Sequence, residues 1–180
     1  MRNENRSSGP GFPTTRFRRL RYHPGVRRLV RQTRLSPTNL ILPLFVRPGE
    51  NFRQEISAMP GNYQLSPDLL AEEVCQAAEL GLGGVILFGI PAEKDATGTD
   101  ALSDSGIIAE AIRVAKQAAP ELLLITDVCC CEYTNHGHCG VLTETTGRMD
   151  VDNDATLQLL ADQAVVNSLF IASIVAPSGM

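Results

Sequence analysis

The chain has 180 residues, 43% of them hydrophobic and 20% charged, with a formal net charge of −4. That balance excludes a disordered polyelectrolyte and fits one soluble globular domain with a sizeable core. Five cysteines, four of them crowded between positions 129 and 139, argue against a disulfide scaffold, and no apolar signal-like run opens the sequence; a reducing cytoplasm is the expected setting.

Charge is unevenly spread. Residues 1–34 hold ten arginines (Arg2, Arg6, Arg16, Arg18, Arg19, Arg21, Arg27, Arg28, Arg31 and Arg34) against Glu4 as the only acid. Such a start is compatible with nucleic-acid binding or an organellar transit segment. Between Arg16 and Arg34 only Phe17 and Tyr22 interleave the arginines, too few for a base-stacking surface. The favoured expectation is a basic N-terminal arm, residues 1–35, with no nucleic-acid partner. It is flexible over 1–15 and helical around Pro24–Arg34, and it packs on another subunit or its own domain through Leu20, Val26, Leu29 and Val30.

Residues 36–180 alternate two periodicities. Asn39–Val46 is a short continuous apolar run, as in a strand buried on both faces, although Pro43 would weaken a central ladder unless it lies beside an unpaired position. A polar loop, Arg47–Leu65, leads to Ser66-Pro67-Asp68, which reads as a serine cap, a proline at the first helical position and an acid in the first turn. The helix should run to about Leu80 and stop at Gly81, with Leu69, Leu70, Val74, Ala77 and Ala78 as its apolar stripe and Cys75 as a small core residue.

Gly84–Gly89 follows as a second strand, Ser105–Ala119 as a second helix stopped by Pro120, and Leu122–Val128 as a third strand. Asp152 or Asn153 caps a third helix to about Val166, and Ile174–Ala176 begins a fourth strand. The apolar stretch Leu169–Ala176 is shorter than the roughly 18–20 residues that a membrane crossing takes, so no membrane is expected. No phosphate loop or dinucleotide fingerprint is present.

The order βαβαβαβ is that of a parallel α/β sheet. Chemistry-bearing residues stand where strands end: Asp127 and the cysteines after the third, Pro177-Ser178 after the fourth. Working residues in (β/α)8 TIM barrels sit there, although open sheets also bind ligands at strand ends. A complete barrel takes about 250 residues, so the expected fold is the N-terminal half of a TIM barrel with two raw edges, ending at strand four. The missing strands would come from another chain or a longer polypeptide.

Residues 127–140, Asp-Val-Cys-Cys-Cys-Glu-Tyr-Thr-Asn-His-Gly-His-Cys-Gly, hold four of the five cysteines and two of the three histidines. Cys129, Cys131 and Cys139 could form a three-thiolate zinc site whose fourth position stays open to water or substrate. A closed structural site completed by His136, His138 or Cys130 is the alternative. If the strand persists, Cys130 faces away from its neighbours and packs. His136 and His138 could orient ligands or simply brace the loop. A cysteine redox sensor is a further alternative, although Cys129 and Cys131 lack the C-x-x-C spacing.

This loop closely resembles the zinc loop of the porphobilinogen synthase (5-aminolevulinate dehydratase) family. The likeness extends to Arg27–Val46, Gly84–Pro91, Val151–Thr156 and Ile174–Ser178. The resemblance implies a TIM barrel with an arm wrapping a neighbouring subunit, a homo-octamer, and condensation of two 5-aminolevulinate molecules to porphobilinogen with loss of two waters. It implies Cys129, Cys131 and Cys139 as zinc ligands, Asp127 as a catalytic proton-transfer group, Ser178 as a substrate-binding serine, and Mg2+ as a further metal in a full-length assembly.

The family also uses two Schiff-base lysines, whose positions would lie beyond residue 180. The two lysines here, Lys94 and Lys116, do not match them. The isolated chain is therefore expected to be inactive, and a non-catalytic zinc-binding or subunit-associating fragment stands as the alternative. A second departure precedes strand four. The family reads Ala-Glu-Ala-Gly-Ala-Asp where this chain has Ser168-Leu-Phe-Ile-Ala-Ser173, losing the glycine that ends the helix.

Overall fold

The computed structural model describes residues 17–145 and 147–178. They fall into two units, one ending at Leu35 and the other beginning at Ser36. In the first, a 3-10 turn at Phe17–Leu20 precedes α1, Pro24–Leu29. Proline presets the first helical φ, and His23 caps the helix by accepting the Gly25 N–H on Nδ1 at 3.1 Å. α1 stops well short of Arg34, the expected end. Arg27, Arg28 and Arg31 would stack like charges three and four residues apart with no acid to offset them. The flexible start expected over 1–15 lies outside the described residues.

In the second unit the strands are β1 (Ile41–Val46), β2 (Arg53–Glu55), β3 (Tyr63–Leu65), β4 (Gly84–Gly89), β5 (Leu124–Val128), β6 (Leu142–Thr145), β7 (Arg148–Val151) and β8 (Ile174–Pro177). The helices are α2 (Pro67–Glu79), α3 (Ile107–Ala118) and α4 (Asn153–Leu169). Among the described residues one sheet has the order β2-β3-β1-β4-β5-β8, and β6-β7 form a separate hairpin. β1, β4, β5 and β8 are neighbours in chain order and all parallel. A sheet that advances in one direction, without reversing, is barrel-like rather than doubly wound.

Side-chain alternation assigns the faces. Leu44 and Val46 of β1, Val85 and Leu87 of β4, and Leu124 of β5 pack with Leu70, Val74 and Ala77 of α2 and with Ile108, Ala111, Ile112 and Ala115 of α3. Val128 packs with Leu160 of α4. All three helices therefore cover the same face. Asn167 fastens α4 to β5, donating Nδ2–H to the buried Thr126 hydroxyl at 3.1 Å. The other face carries Phe45 and Phe88, stacked at 5.2 Å, together with Ile125 and Asp127.

Pro43 is tolerated in β1 for a local reason. Leu40 and Val46 direct their carbonyls toward β4, accepting from Gly83 and Ile90, while Arg47 donates to β3. Alternation then points Pro43 toward the β3 side, where pairing begins only at Phe45. Its missing N–H removes no ladder bond.

Several boundaries differ from the sequence expectation. Asn39, the expected start of β1, instead ends a 3-10 turn, Pro37–Asn39, and the strand begins at Ile41. The segment expected as a polar loop contains β2 and β3, and α4 continues to Leu169. Ser66 precedes α2 without a side-chain cap bond; its hydroxyl instead accepts the Phe52 N–H at 2.9 Å. Cys75 is half-buried rather than in the core, its thiol directed at the Ala118 carbonyl at 3.5 Å. No helix among the described residues is long and apolar enough to cross a membrane.

The ends of α2 and α4 form a natural comparison. After α2, Gly81 adopts φ +68, with its N–H on Ala78 O and the Leu82 N–H on Ala77 O. After α4 the same pair of bonds recurs, from Ile171 to Ser168 O and from Ala172 to Asn167 O, but the left-handed residue is Ile171 at φ +71 and 72% exposed. A β-branched side chain is strained in that region and here gains little burial in return. Ile171→Gly is expected to stabilise the protein by about 1 kcal/mol, and Gly81→Ala to destabilise it by a similar amount. Denaturant midpoints check both; an unchanged or lowered midpoint for Ile171→Gly would contradict the assignment.

Candidate metal centre

β5 is buried along its whole length, so its alternation decides what reaches the site. Thr126 and Val128 point to the helices, and Asp127 points to the open inner face with 5% exposure. The chain then leaves the sheet, and Cys129 and Cys131 fall on one side with their sulfurs 3.4 Å apart. The returning loop brings in Cys139. The three sulfurs lie within 4.8 Å of one another, the one grouping of potential metal donors found among the described residues. Cys130 turns away to pack with Val128 and Leu160. Burial pushes its thiol up to about 11.

Tyr133 anchors the loop that carries Cys139. Its ring is fully buried in the main core, seated over the end of β4 where Gly89 leaves room; a Cβ there would lie 2.5 Å from the phenol oxygen. Backbone bonds from Tyr133 and Thr134 to Cys130 O close the first turn. Farther on, Gly140 abuts Thr156 of α4, and the Val141 N–H donates to the Thr156 hydroxyl at 3.0 Å.

The donor set fits a thiophilic cation. Burial, together with hydrogen bonds to the neighbouring sulfurs, raises the Cys131 thiol, and the bond to Cys129 leads the rise at Cys139. Three clustered sulfurs are reluctant to become thiolates unless a positive ion offsets their charge. Cys129 is buried while Cys131 and Cys139 are partly exposed, so the cluster is open on one side, as a site needing an exchangeable fourth ligand requires.

Acidic groups sit beside it. Burial raises the Asp127 carboxyl, opposed by a hydrogen bond from the Ser178 hydroxyl. Asp127 and Ser178, expected from the sequence, thus meet where β5 and β8 end, Asp127 opposite Ala176 and Val128 opposite Pro177. Glu132 is a neighbour that the sequence reading missed. Burial and then the Asp127 charge push it up to about 8, with Lys94 acting in the opposite direction. An acid set directly between Cys131 and the aromatic Tyr133 was the available signal.

His136 and His138 stand 5.6 Å apart ring to ring. His136 is half-buried and hydrogen-bonded, and His138 is exposed. Neither lysine is among the groups that meet at the sulfurs. Lys116 reaches Ser173 Oγ at 3.1 Å, at the opposite end of β5 and β8, and Lys94 is exposed in the loop after β4.

The profile of the delta-aminolevulinic acid dehydratase family matches residues 14–180. The chain belongs to that family. It is 48% identical over 171 residues to the delta-aminolevulinic acid dehydratase of Synechococcus elongatus, covering 94% of this chain and 52% of the relative. The Halalkalibacterium halodurans protein is also 48% identical, with coverage of 96% and 51%. That of Ruminiclostridium josui is 43% identical, with coverage of 92% and 78%. The chain thus spans about half the length of the first of these relatives.

A crystal structure of the Toxoplasma gondii delta-aminolevulinic acid dehydratase (porphobilinogen synthase), in complex with its reaction product porphobilinogen, superposes with a TM-score of 0.85. It is 35% identical, covering 92% of this chain and 47% of that one. The fold is therefore part of the family's α/β barrel.

Replacing Cys129, Cys131 or Cys139 by serine should each abolish binding of a thiophilic metal ion at the cluster, measured by metal analysis. Cys130→Ser should keep the metal and lose about 1–3 kcal/mol of stability, because it buries a hydroxyl among apolar groups. Each ligating thiol must release its proton, so metal affinity should rise with pH, by up to about tenfold per unit for each proton released. Affinity independent of pH between 6 and 8 would contradict thiol ligation.

Proposed function

We propose that this chain supplies the metal-binding part of a porphobilinogen synthase, which condenses two 5-aminolevulinate molecules to porphobilinogen with loss of two waters. The observation that carries the proposal is the three-sulfur cluster beside a buried carboxyl at the C-terminal ends of β5 and β8, in a chain of this family. Cys129, Cys131 and Cys139 would hold zinc. When bound there, zinc supplies a Lewis acid that polarises a ketone carbonyl and acidifies a coordinated water.

The chain's own side chains handle protons and position. Burial raises the affinity of Asp127 for a proton, so its carboxylate suits accepting and returning one. Glu132, whose carboxyl burial and the Asp127 charge raise, suits giving and taking a proton near neutral pH. Ser178 is exposed and suits hydrogen bonding to a substrate carboxylate or carbonyl. The stacked Phe45 and Phe88 give the inner face an apolar wall.

The family likeness supports assembly as a homo-octamer through a basic arm over residues 1–35, a barrel domain over 36–180 completed by further strands, a cytoplasmic location, and Mg2+ as a second metal of the assembly. Lys116 lies at the far end of the strands and Lys94 in an exposed loop, so neither suits the family's amine chemistry. Residues 1–180 alone, given 5-aminolevulinate and zinc, should form no porphobilinogen; saturable formation would contradict this.

The positive test is a chimera in which residues 36–178 replace the matching part of the Halalkalibacterium halodurans relative. It should form porphobilinogen and, on Cys139→Ser, lose at least about tenfold in kcat/KM. A folded chimera that binds zinc but forms no product would favour a non-catalytic zinc-binding fragment.

A further inference from the structure

Seven residues separate Cys131 from Cys139, and they must double back for the sulfurs to converge within 4.8 Å. Backbone bonds fix the outward half of this turn. Tyr133 and Thr134 donate to Cys130 O at 3.0 and 2.9 Å, and an isolated bridge joins the loop to the one after β4, with the Asn135 N–H on Asp95 O at 2.9 Å. The return half is held by side chains. Thr134 Oγ1–H donates to His138 O at 3.0 Å, and Gly137 takes φ +73 to let the chain reverse.

The His136 ring occupies the middle of this turn with a partner on each nitrogen. Nδ1 lies 3.1 Å from the His138 N–H, and Nε2 lies 3.2 Å from Ala96 O. A backbone N–H can only donate, so Nδ1 is bare; a carbonyl can only accept, so Nε2 carries the hydrogen. The two partners together admit one form of the ring, the neutral Nε2–H tautomer.

What the ring grips is itself rigid. Asp95 gathers the Thr97 N–H at 2.8 Å, the Thr99 N–H and the Thr99 hydroxyl, which sets the turn containing Ala96. On its other side the ring holds the peptide of His138, immediately before Cys139.

We propose that His136 is a positioning residue for the sulfur cluster: as the neutral Nε2–H tautomer it ties the loop after β5 to the loop after β4 and so delivers Cys139 to Cys129 and Cys131. The inference rests on the metal reading given above. His136 touches no sulfur; it acts through the backbone of His138.

Two measurements test it, with cobalt(II) as the probe metal. In the metal-free protein, 15N spectra of the histidine ring should show His136 with hydrogen on Nε2 and a bare Nδ1; a hydrogen on Nδ1 of the neutral ring would overturn the proposal. Cobalt affinity, followed by thiolate-to-cobalt absorption, should then grade with the two bonds. His136→Phe removes both and should weaken binding by about tenfold or more. His136→Asn keeps an acceptor for the His138 N–H, and His136→Gln keeps a donor able to reach Ala96 O; each should recover part of the loss.

A His136→Phe protein that folds and binds cobalt as tightly as the unmodified one would overturn the inference while Cys139→Ser still weakened binding. If Cys139→Ser also left cobalt affinity unchanged, the metal reading itself would fall and take the positioning role with it.

Discussion

The two-residue alternation of β5 sets everything at the site. Between β4 and β8, and buried on both faces, this strand sends Thr126 and Val128 to the helices and Asp127 to the inner face. A slip of one residue would push the Asp127 carboxyl into the apolar core and turn Val128 toward the pocket, so hydrophobic burial and the cost of burying a charge enforce the same register. The bond from Asn167 to Thr126 adds a polar pin from α4. Because Cys129 and Cys131 follow with the same parity, a folding constraint on one strand selects which cysteines meet and which one is spent on packing.

The third sulfur is recruited differently. Cys139 has no strand to place it, and its position is built from a buried anchor, Tyr133, from backbone contacts with the loop after β4, and from the His136 ring. The centre therefore joins a part placed by the sheet to a part placed by two βα loops. That division suits a metal whose fourth position has to exchange ligands, since the half-exposed sulfurs Cys131 and Cys139 are on the loop side and the buried one, Cys129, is on the strand side.

Much of this was legible in the sequence because it depends on local pattern. The apolar runs at 84–89 and 122–128, the second of which is strand only from Leu124, the Ser-Pro-Asp start of α2 and the Asp152 cap of α4 each state one element; Asp152 does accept the Ala155 N–H at 3.0 Å. The outward turn of Cys130 followed from parity alone. β2, β3 and the β6-β7 hairpin were hidden for the opposite reason. Their strands have three or four residues, mostly polar, and β2 pairs only through β3. The hairpin did leave a signal in Gly147, at φ +74, between Thr-Glu-Thr and Arg-Met-Asp. The His136 contacts were not readable, because they depend on what the loop after β4 brings near the ring. The lost glycine at Ile171 was readable, and its backbone took the left-handed conformation anyway.

The claim on which the site depends is that three sulfurs, and not four, converge on one ion with a position left open. X-ray absorption at the zinc edge of the metal-loaded protein measures this directly. Three sulfur neighbours at about 2.3 Å and one oxygen or nitrogen at about 2.0–2.2 Å are predicted. Four sulfurs would mean that Cys130 leaves its apolar seat to close the site, and a shell with no sulfur would mean that the metal binds elsewhere; either result would contradict it.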